Sequence, residues 1–272
     1  MKAATEQSRD VVIGNRRYVI TSDDNDYLTH IGTEFEPHTS ALLNTLFGPR
    51  SIVLDVGANI GCTSILFGAR ARRVISFEPS PTTFEFLRRN IERAGLSNVE
   101  LHDFALGSES RTSQLTFAAS NRAGGFVSDR TTASAGHVTE AISIRRLDDI
   151  AGSLSLDALD LIKIDVEGFE RSVLEGGRET LGRLMPVAAL ELNHWCLNAF
   201  QRISVPDFLD YLCSMFPVLV AVEGDKYLDL RDAGERYIVM YGHILHFQYM
   251  NLVGAFSSER LTNFLAQYRH ST

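Results

Sequence analysis

Two stretches of this chain concentrate residues that can do chemistry. The first is Val53-Leu-Asp-Val-Gly-Ala-Asn-Ile-Gly61, where a short apolar run ends at Asp55 and passes through Gly57, Ala58, Asn59 and Gly61. A strand that turns on glycine into a helix brings backbone N–H groups against a ligand. The spacing is not the dinucleotide fingerprint, because counting GxGxxG from Gly57 requires glycine where Asn59 and Cys62 stand. The close approach of a pyrophosphate needs those glycines, so a nicotinamide oxidoreductase is disfavoured. An acid ahead of a looser turn suits a small zwitterion, with backbone donors for its carboxylate and Asp55 near its ammonium. The same turn also occurs for structural reasons alone. The second stretch is Leu161-Ile-Lys-Ile-Asp-Val-Glu-Gly-Phe-Glu170, which closes an apolar run with Asp165, Glu167 and Glu170. Asp165 and Glu167 fall on one side of an extended chain, and Lys163 is placed to pair with one of the acids. Glu170 reads equally as a first-turn carboxylate favoured by the helix dipole.

Other strand ends carry matching groups. Val74-Ile-Ser-Phe77 stops at Glu78-Pro79, where a carboxylate can accept hydrogen bonds from both hydroxyls of a ribose. The run Val99 to His102 stops at Asp103-Phe104-Ala105, which offers an acceptor and an apolar wall to an adenine. Open parallel sheets bind ligands at the carboxyl ends of their strands, so these sites share one crevice. An amino-acid end, a ribose site and a base site together describe S-adenosylmethionine. The run Val187 to Leu192 adds Glu191 to the same rim and leads into Asn193-His194-Trp195. His194 is a candidate base, since a near-neutral imidazole can remove a hydroxyl proton; its competing role is a structural hydrogen bond. Trp195 is placed either to stack on a sugar face or to pack. A divalent ion held by Asp165, Glu191 and Asn193 is an open alternative, because oxygen ligands suit Mg²⁺. No residue is assigned as a metal ligand.

The elements that must position these groups follow from periodicity and turn residues. Val11-Val-Ile13 and Tyr18-Val-Ile20 flank Gly14-Asn15 as a hairpin, and residues 36–47 read as a helix. From Ser51 onward short apolar runs alternate with helical segments near 60–70, 81–94, 169–182 and 206–215. Strands without polar alternation indicate a mostly parallel sheet covered on both faces. Between about residues 107 and 147, extended segments at 112–117 and 140–145 replace a helix and flank Ala118–Gly136, either an exposed loop or a lid over ligand. His243 and His246 fall in an expected late strand, on opposite faces.

Composition bounds the partners. The 272 residues are 44% hydrophobic and 22% charged, with 26 Lys+Arg against 34 Asp+Glu and a formal charge of −8. Ile, Leu, Val and Phe throughout exclude disorder for most of the length. The acidic balance argues against a general nucleic-acid binder. Cys62, Cys196 and Cys213 form no CxxC pair, which fits a reducing compartment. Met1–Asp10 has no apolar core of a secretory signal, and the longest apolar run, Phe216–Val222, is too short to span a membrane. A cytoplasmic protein is expected.

Asp55-Val-Gly-Ala-Asn-Ile-Gly61, Phe77-Glu-Pro79, the Asp103–Gly107 stretch and Lys163-Ile-Asp-Val-Glu-Gly-Phe-Glu170, followed by Val173-Leu-Glu-Gly176, resemble the FkbM-type S-adenosylmethionine-dependent methyltransferases. The resemblance runs from about Ser51 to Leu192. It implies a class I methyltransferase fold, an α/β Rossmann-like sheet of seven strands, all parallel except one near the C-terminus. With the motif order, residues 1–50 read as a hairpin and helix appendage and 51–272 as the methyltransferase domain. Members typically methylate hydroxyl oxygens, often on sugars of glycans or polyketide products. Carried over, Asp55, Gly57 and Asn59 line the methionine end, Glu78 the ribose and Asp103 the adenine, with Asp165 and Glu167 near the transferred methyl. The acceptor is then a small molecule or glycan, chosen by the N-terminal segment and by residues beyond about Asn193. The competing reading is a non-catalytic S-adenosylmethionine-binding or scaffold domain of the same fold, against which the acids at Asp55, Glu78, Asp103, Asp165 and Glu167 argue.

Overall fold

A computed structural model describes residues 6–118, 121–131, 134 and 136–271. The chain opens with a hairpin of β1 (Gln7–Ile13) and β2 (Arg16–Ser22), turning at Gly14 with φ +60°. Helices Asn25–Ile31 and Pro37–Leu46 follow and lead into β3 (Ile52–Val56). Then come β4 (Arg73–Phe77) and β5 (Val99–His102), parallel to β3 and linked by helices Cys62–Gly68 and Pro81–Arg93. Ser80 starts the second helix as its residue types demand. Its hydroxyl accepts the N–H of Thr83 at 3.1 Å, and Pro81 occupies the first turn, where no N–H is required.

The segment after β5 forms its own sheet of β6 (Ala105–Leu106), β7 (Arg111–Ala118), β8 (Asn121–Val127) and β9 (His137–Arg145). The extended stretches expected at 112–117 and 140–145 lie within β7 and β9. The stretch expected as a loop holds β8, whose small residues gave no strand period; residues 119–120, 132–133 and 135 of it lie outside the described residues.

The chain then returns to the main sheet with β10 (Leu161–Ile164), β11 (Val187–Glu191), β12 (Val218–Glu223), β13 (Lys226–Asp229), β14 (Asn251–Ala255) and β15 (Arg269–His270). The order across this sheet is β15-β13-β12-β14-β11-β10-β3-β4-β5. It has nine strands rather than the expected seven. Gly224, at φ +59°, turns β12 directly back into β13, and the C-terminal residues pair alongside as β15. Beside these, β14 runs antiparallel to both its neighbours, β11 and β12. The strands at the centre are mostly apolar because helices bury both faces, with Asp55, Ser76 and Lys163 as buried exceptions. Val53, Val74 and Leu161 pack on one side with Phe67 and Leu87. Leu54, Ile75 and Ile162 pack on the other with Leu174 and Phe208.

His243 and His246 belong to helix Ala233–His246 rather than to a strand, because Asp232 accepts the N–H groups of Gly234 and Glu235 and starts a helix there. Among the described residues no helix is long and apolar enough to cross a membrane.

The hairpin is tied to the main sheet's helices through one buried side chain. Asn90 accepts the N–H of Thr21 at 3.0 Å and donates to the carbonyls of Thr21 at 3.0 Å and Ile60 at 2.9 Å. It therefore joins β2, helix Pro81–Arg93 and the glycine turn after β3. Asn90→Ala should cost about 2–4 kcal/mol of unfolding free energy, from buried groups left without partners. Urea denaturation checks this; a loss under about 0.5 kcal/mol would show that the tie carries no load.

Candidate active site

The carboxyl ends of β3, β4, β10 and β11 open on a cavity of about 870 Å³. Its walls include Gly57, Ala58, Asn59, Glu78, Pro79, Ala105, Asp165, Glu167 and Glu191. These expected site residues therefore meet in one place, within the range of volumes that small-ligand sites occupy.

The backbone donors expected to face a ligand at the glycine turn are used otherwise. The N–H groups of Gly57 and Ala58 both donate to the carbonyl of Phe77, at 3.1 and 3.0 Å, and that of Asn59 donates to Glu78 Oε2 at 3.0 Å. The turn is thus a clasp between β3 and β4. Gly57 sits at φ +81°, and a Cβ there would lie 1.9 Å from the carbonyl oxygen of Asp165. Only glycine lets the β3 and β10 loops approach so closely. Gly61 is not a wall of the cavity. It begins helix Cys62–Gly68 at φ +100°, with Leu87 where a side chain would go.

Asp55 does not reach the cavity either. It is fully buried beneath the turn, where Oδ2 accepts the hydroxyls of Thr63 at 2.8 Å and Ser64 at 2.6 Å. Lys163 Nζ lies 3.7 Å from Asp55 Oδ1 and 3.2 Å from Asp165 Oδ2, and donates to the Gly57 carbonyl at 3.1 Å. The expected lysine–acid pair is a bridge between two acids, and the acid facing the cavity is Asp165.

Glu78 is buried, with Oε1 accepting the N–H of Ser80 at 2.9 Å opposite the Asn59 bond. Loss of water nevertheless pushes its carboxyl up to about 7. Glu167 holds a left-handed backbone at φ +52°, and its Oε2 accepts the Cys196 thiol at 3.0 Å. Burial and then Asp165 push it up to about 7 as well. Glu170 faces inward. Its Oε1 accepts the N–H groups of Val166 and Gly168, both at 3.1 Å, so it shapes the loop rather than the cavity; burial brings it to about 7. Glu191 has one buried carboxylate oxygen without a partner among the described residues. Burial, followed by the charges of Asp165 and Glu167, raises its proton affinity well above that of an ordinary carboxylate.

Asp103, Phe104 and His194 are not among the residues that line the cavity. Asp103 is exposed, and Phe104 is buried against Phe77 and His102 beneath the Arg145 guanidinium, which leaves Ala105 as the cavity wall. His194 is turned away. Asn193 accepts the Cys196 N–H at 3.2 Å and starts a short helix that swings the imidazole onto Phe247 and His243, at ring distances of 4.5 and 5.0 Å. Burial there lowers its proton affinity. Trp195 is exposed and packs edge-on against Phe200. Among the described residues, no group of three or more His, Cys, Asp or Glu side chains could hold a metal ion.

The N-terminal segment, expected to help choose the acceptor, and β8, within the stretch expected as a loop or a lid, both supply walls through residues the sequence did not single out. Tyr27 and Glu36 line the cavity, as do Asn121 and Arg122. Arg122 latches the two parts together: its N–H donates to Asp24 Oδ2 at 2.7 Å, and its guanidinium lies 3.4 Å from Asp23 and 3.5 Å from Glu140. Only the Glu36-Pro37 helix start left a trace in the sequence. The latch joins residues far apart in the chain.

A profile of the family described as "Methyltransferase FkbM domain" matches residues 55–229. The 2-O-methyltransferase NoeI of Sinorhizobium fredii is 29% identical over 156 residues, covering 52% of this chain and 63% of that protein. The hexuronic acid methyltransferase AglP of Haloferax volcanii is 30% identical over 127 residues, covering 46% of this chain and 49% of that protein. The chain thus spans about half to three-fifths of the length of these relatives. A solved methyltransferase FkbM from Methylobacillus flagellatus aligns with a TM-score of 0.49 at 20% identity, over 76% of this chain and 44% of that one.

Glu78, Glu167 and Glu170 give the fold a signature in pH. Each holds a proton to about 7 when folded, against an ordinary value of 4.5, so the native state binds protons that the unfolded chain has released. Their stabilisation is full below about pH 4.5 and is lost as pH rises through about 7. The urea midpoint of the ligand-free protein should fall across this window, and Glu167→Gln should flatten the fall. A midpoint that climbs with pH there would contradict the assignment.

Proposed function

Because this chain belongs to the FkbM methyltransferase family, we propose that it is an S-adenosylmethionine-dependent O-methyltransferase of the class I fold. Its acceptor is a hydroxyl oxygen, on a sugar of a glycan or of a glycosylated or polyketide product. The observation that carries this reading is the convergence of Glu78, Asp165, Glu167 and Glu191 on one cavity whose lysine, Lys163, is already paired. Such a site is matched to a cation, and the buried orphan oxygen of Glu191 still lacks a partner. The donor set therefore fits a cofactor that is positively charged at sulfur. S-adenosylmethionine, when bound, supplies a methyl group already activated for attack by oxygen.

What remains for the protein is alignment, exclusion of water and the proton. Glu78 offers carboxylate oxygens to the ribose hydroxyls, and Ala105 with Leu106 forms the apolar wall for the base. Asp165, paired with Lys163, lines the cavity. Glu191 takes the acceptor's proton once the bound sulfonium has favoured its ionised form; its buried oxygen has no partner among the described residues. A saccharide acceptor is supported by the relatives named as a 2-O-methyltransferase and a hexuronic acid methyltransferase.

Transfer of labelled methyl from S-adenosylmethionine to a panel of glycans and nucleotide sugars tests this directly. Glu191→Gln should lower turnover by about 10²-fold or more while S-adenosylhomocysteine affinity stays within a few-fold. His194→Ala, outside the cavity, should stay within a few-fold of wild type. No labelled product on any acceptor, or full activity in Glu191→Gln, would overturn the respective claim.

A further inference from the structure

An amino-acid end carries an ammonium, and an ammonium in a partly dry cavity needs an anion beside it. The residue that the sequence offers for that task, Asp55, is sealed beneath the glycine turn and committed to Thr63, Ser64 and Lys163. The other carboxylates are largely spoken for. Asp165 faces Lys163, Glu167 takes the Cys196 thiol, and Glu78 is tied by two backbone N–H groups on the β4 side. Three cavity carboxylates remain without such a commitment among the described residues: Glu191 at the end of β11, and Asp26 and Glu36, both exposed, from the N-terminal segment.

Glu36 is the one beside the glycine turn. It lines the same cavity as Gly57, Cys62 and Thr63, and after burial its charge is what most raises the proton affinity of Cys62, the first residue of the helix after that turn. Tyr27, from the same N-terminal segment, also lines the cavity, and burial and then the charges of Cys62, Glu36 and Asp165 raise its proton affinity.

The backbone at Glu36 points the same way. It stands at the N-cap of helix Pro37–Leu46, where an acid ordinarily accepts a backbone N–H of the first turn, yet its side chain makes no capping bond. It also adopts a left-handed conformation, φ 35° and ψ 66°, which costs a non-glycine residue energy and persists only where surrounding structure holds it. Both the strain and the missing backbone cap are explained if the side chain, held by the Thr39 hydroxyl, serves the cavity instead of the helix. Water lost from its carboxyl, and then Asp165, raises its proton affinity, with Lys163 and Thr39 acting the other way.

We propose that Glu36 is the counter-charge for the ammonium of the cofactor's amino-acid end, so that the N-terminal segment completes the cofactor site. The assignment rests on the cofactor reading above. Tyr27 then supplies an aromatic wall beside the same cationic group.

Calorimetric titration separates the possibilities. S-adenosylhomocysteine carries the amino-acid end, whereas 5′-methylthioadenosine has the nucleoside and the sulfur without it. Glu36→Gln should weaken S-adenosylhomocysteine roughly ten- to a hundredfold, the range of one charge-assisted hydrogen bond, and leave 5′-methylthioadenosine unchanged. Glu36→Asp, which keeps the charge, should recover part of the loss. Equal weakening of both ligands would make Glu36 a structural residue and overturn the proposal, as would no weakening of either. If wild type binds 5′-methylthioadenosine and S-adenosylhomocysteine equally well, the amino-acid end is not recognised and this assignment alone falls. A wild-type chain that binds neither overturns the cofactor reading and this assignment with it.

Discussion

Lys163 is a cation buried at the junction of β3 and β10, and the geometry of the cavity depends on it. Burial alone would strip its proton, but Asp165 and Asp55 outweigh that effect and raise its proton affinity. Its ammonium reaches the Gly57 carbonyl and lies between the two carboxylates. A buried pair of this kind adds little to stability relative to an apolar replacement, yet removing one member leaves an uncompensated charge. Its value lies in position: it fixes the glycine turn against the strand beside it and leaves Asp165 as the acid that faces outward. Gly57 is constrained from the other side, because the Asp165 carbonyl occupies the space of any side chain there.

From that junction the acidity of the cavity follows. The charges of Asp165 and Asp55 are shared with Lys163, while Glu78, Glu167 and Glu191 are held where water is scarce and resist ionisation. A carboxylate cluster in that state is poised: an arriving cation favours the ionised forms that burial disfavours. The roof is built from parts outside the main sheet. The N-terminal segment brings Tyr27 and Glu36, and β8 brings Asn121 and Arg122, with the Arg122 contacts to Asp23, Asp24 and Glu140 joining the two. The region matched by the family profile begins at residue 55, so part of the cavity wall lies ahead of it.

Much of the fold was legible in the sequence because each cue was local. Ser80-Pro81 started a helix, Gly14-Asn15 turned a hairpin, and unbroken apolar runs named the central strands. The cues failed where small residues erased the period, as in β8, or where a capping acid overrode it, as Asp232 does for the helix containing His243. At the site, the sequence identified which loops meet, since strand ends on one edge of a sheet must share a crevice. It did not identify which way each side chain turns. Asp55 pairs in register with Lys163 and Asp165 follows two residues later, and the hydroxyls of Thr63 and Ser64 hold Asp55 inward. His194 was displaced by a cap at Asn193, and Glu36 was hidden because its role depends on a fold partner far along the chain.

Protons are the most direct report on whether this cavity was built for a cation. S-adenosylmethionine can be titrated into the wild-type chain at about pH 7, in buffers of differing ionisation enthalpy, where Glu78 and Glu167 are each near half-protonation. Saturable binding accompanied by net proton release is predicted, as the bound cation draws the buried carboxyls into their charged forms. Absence of binding, or binding with no proton release, would contradict the claim that these acids converge to hold a cationic cofactor.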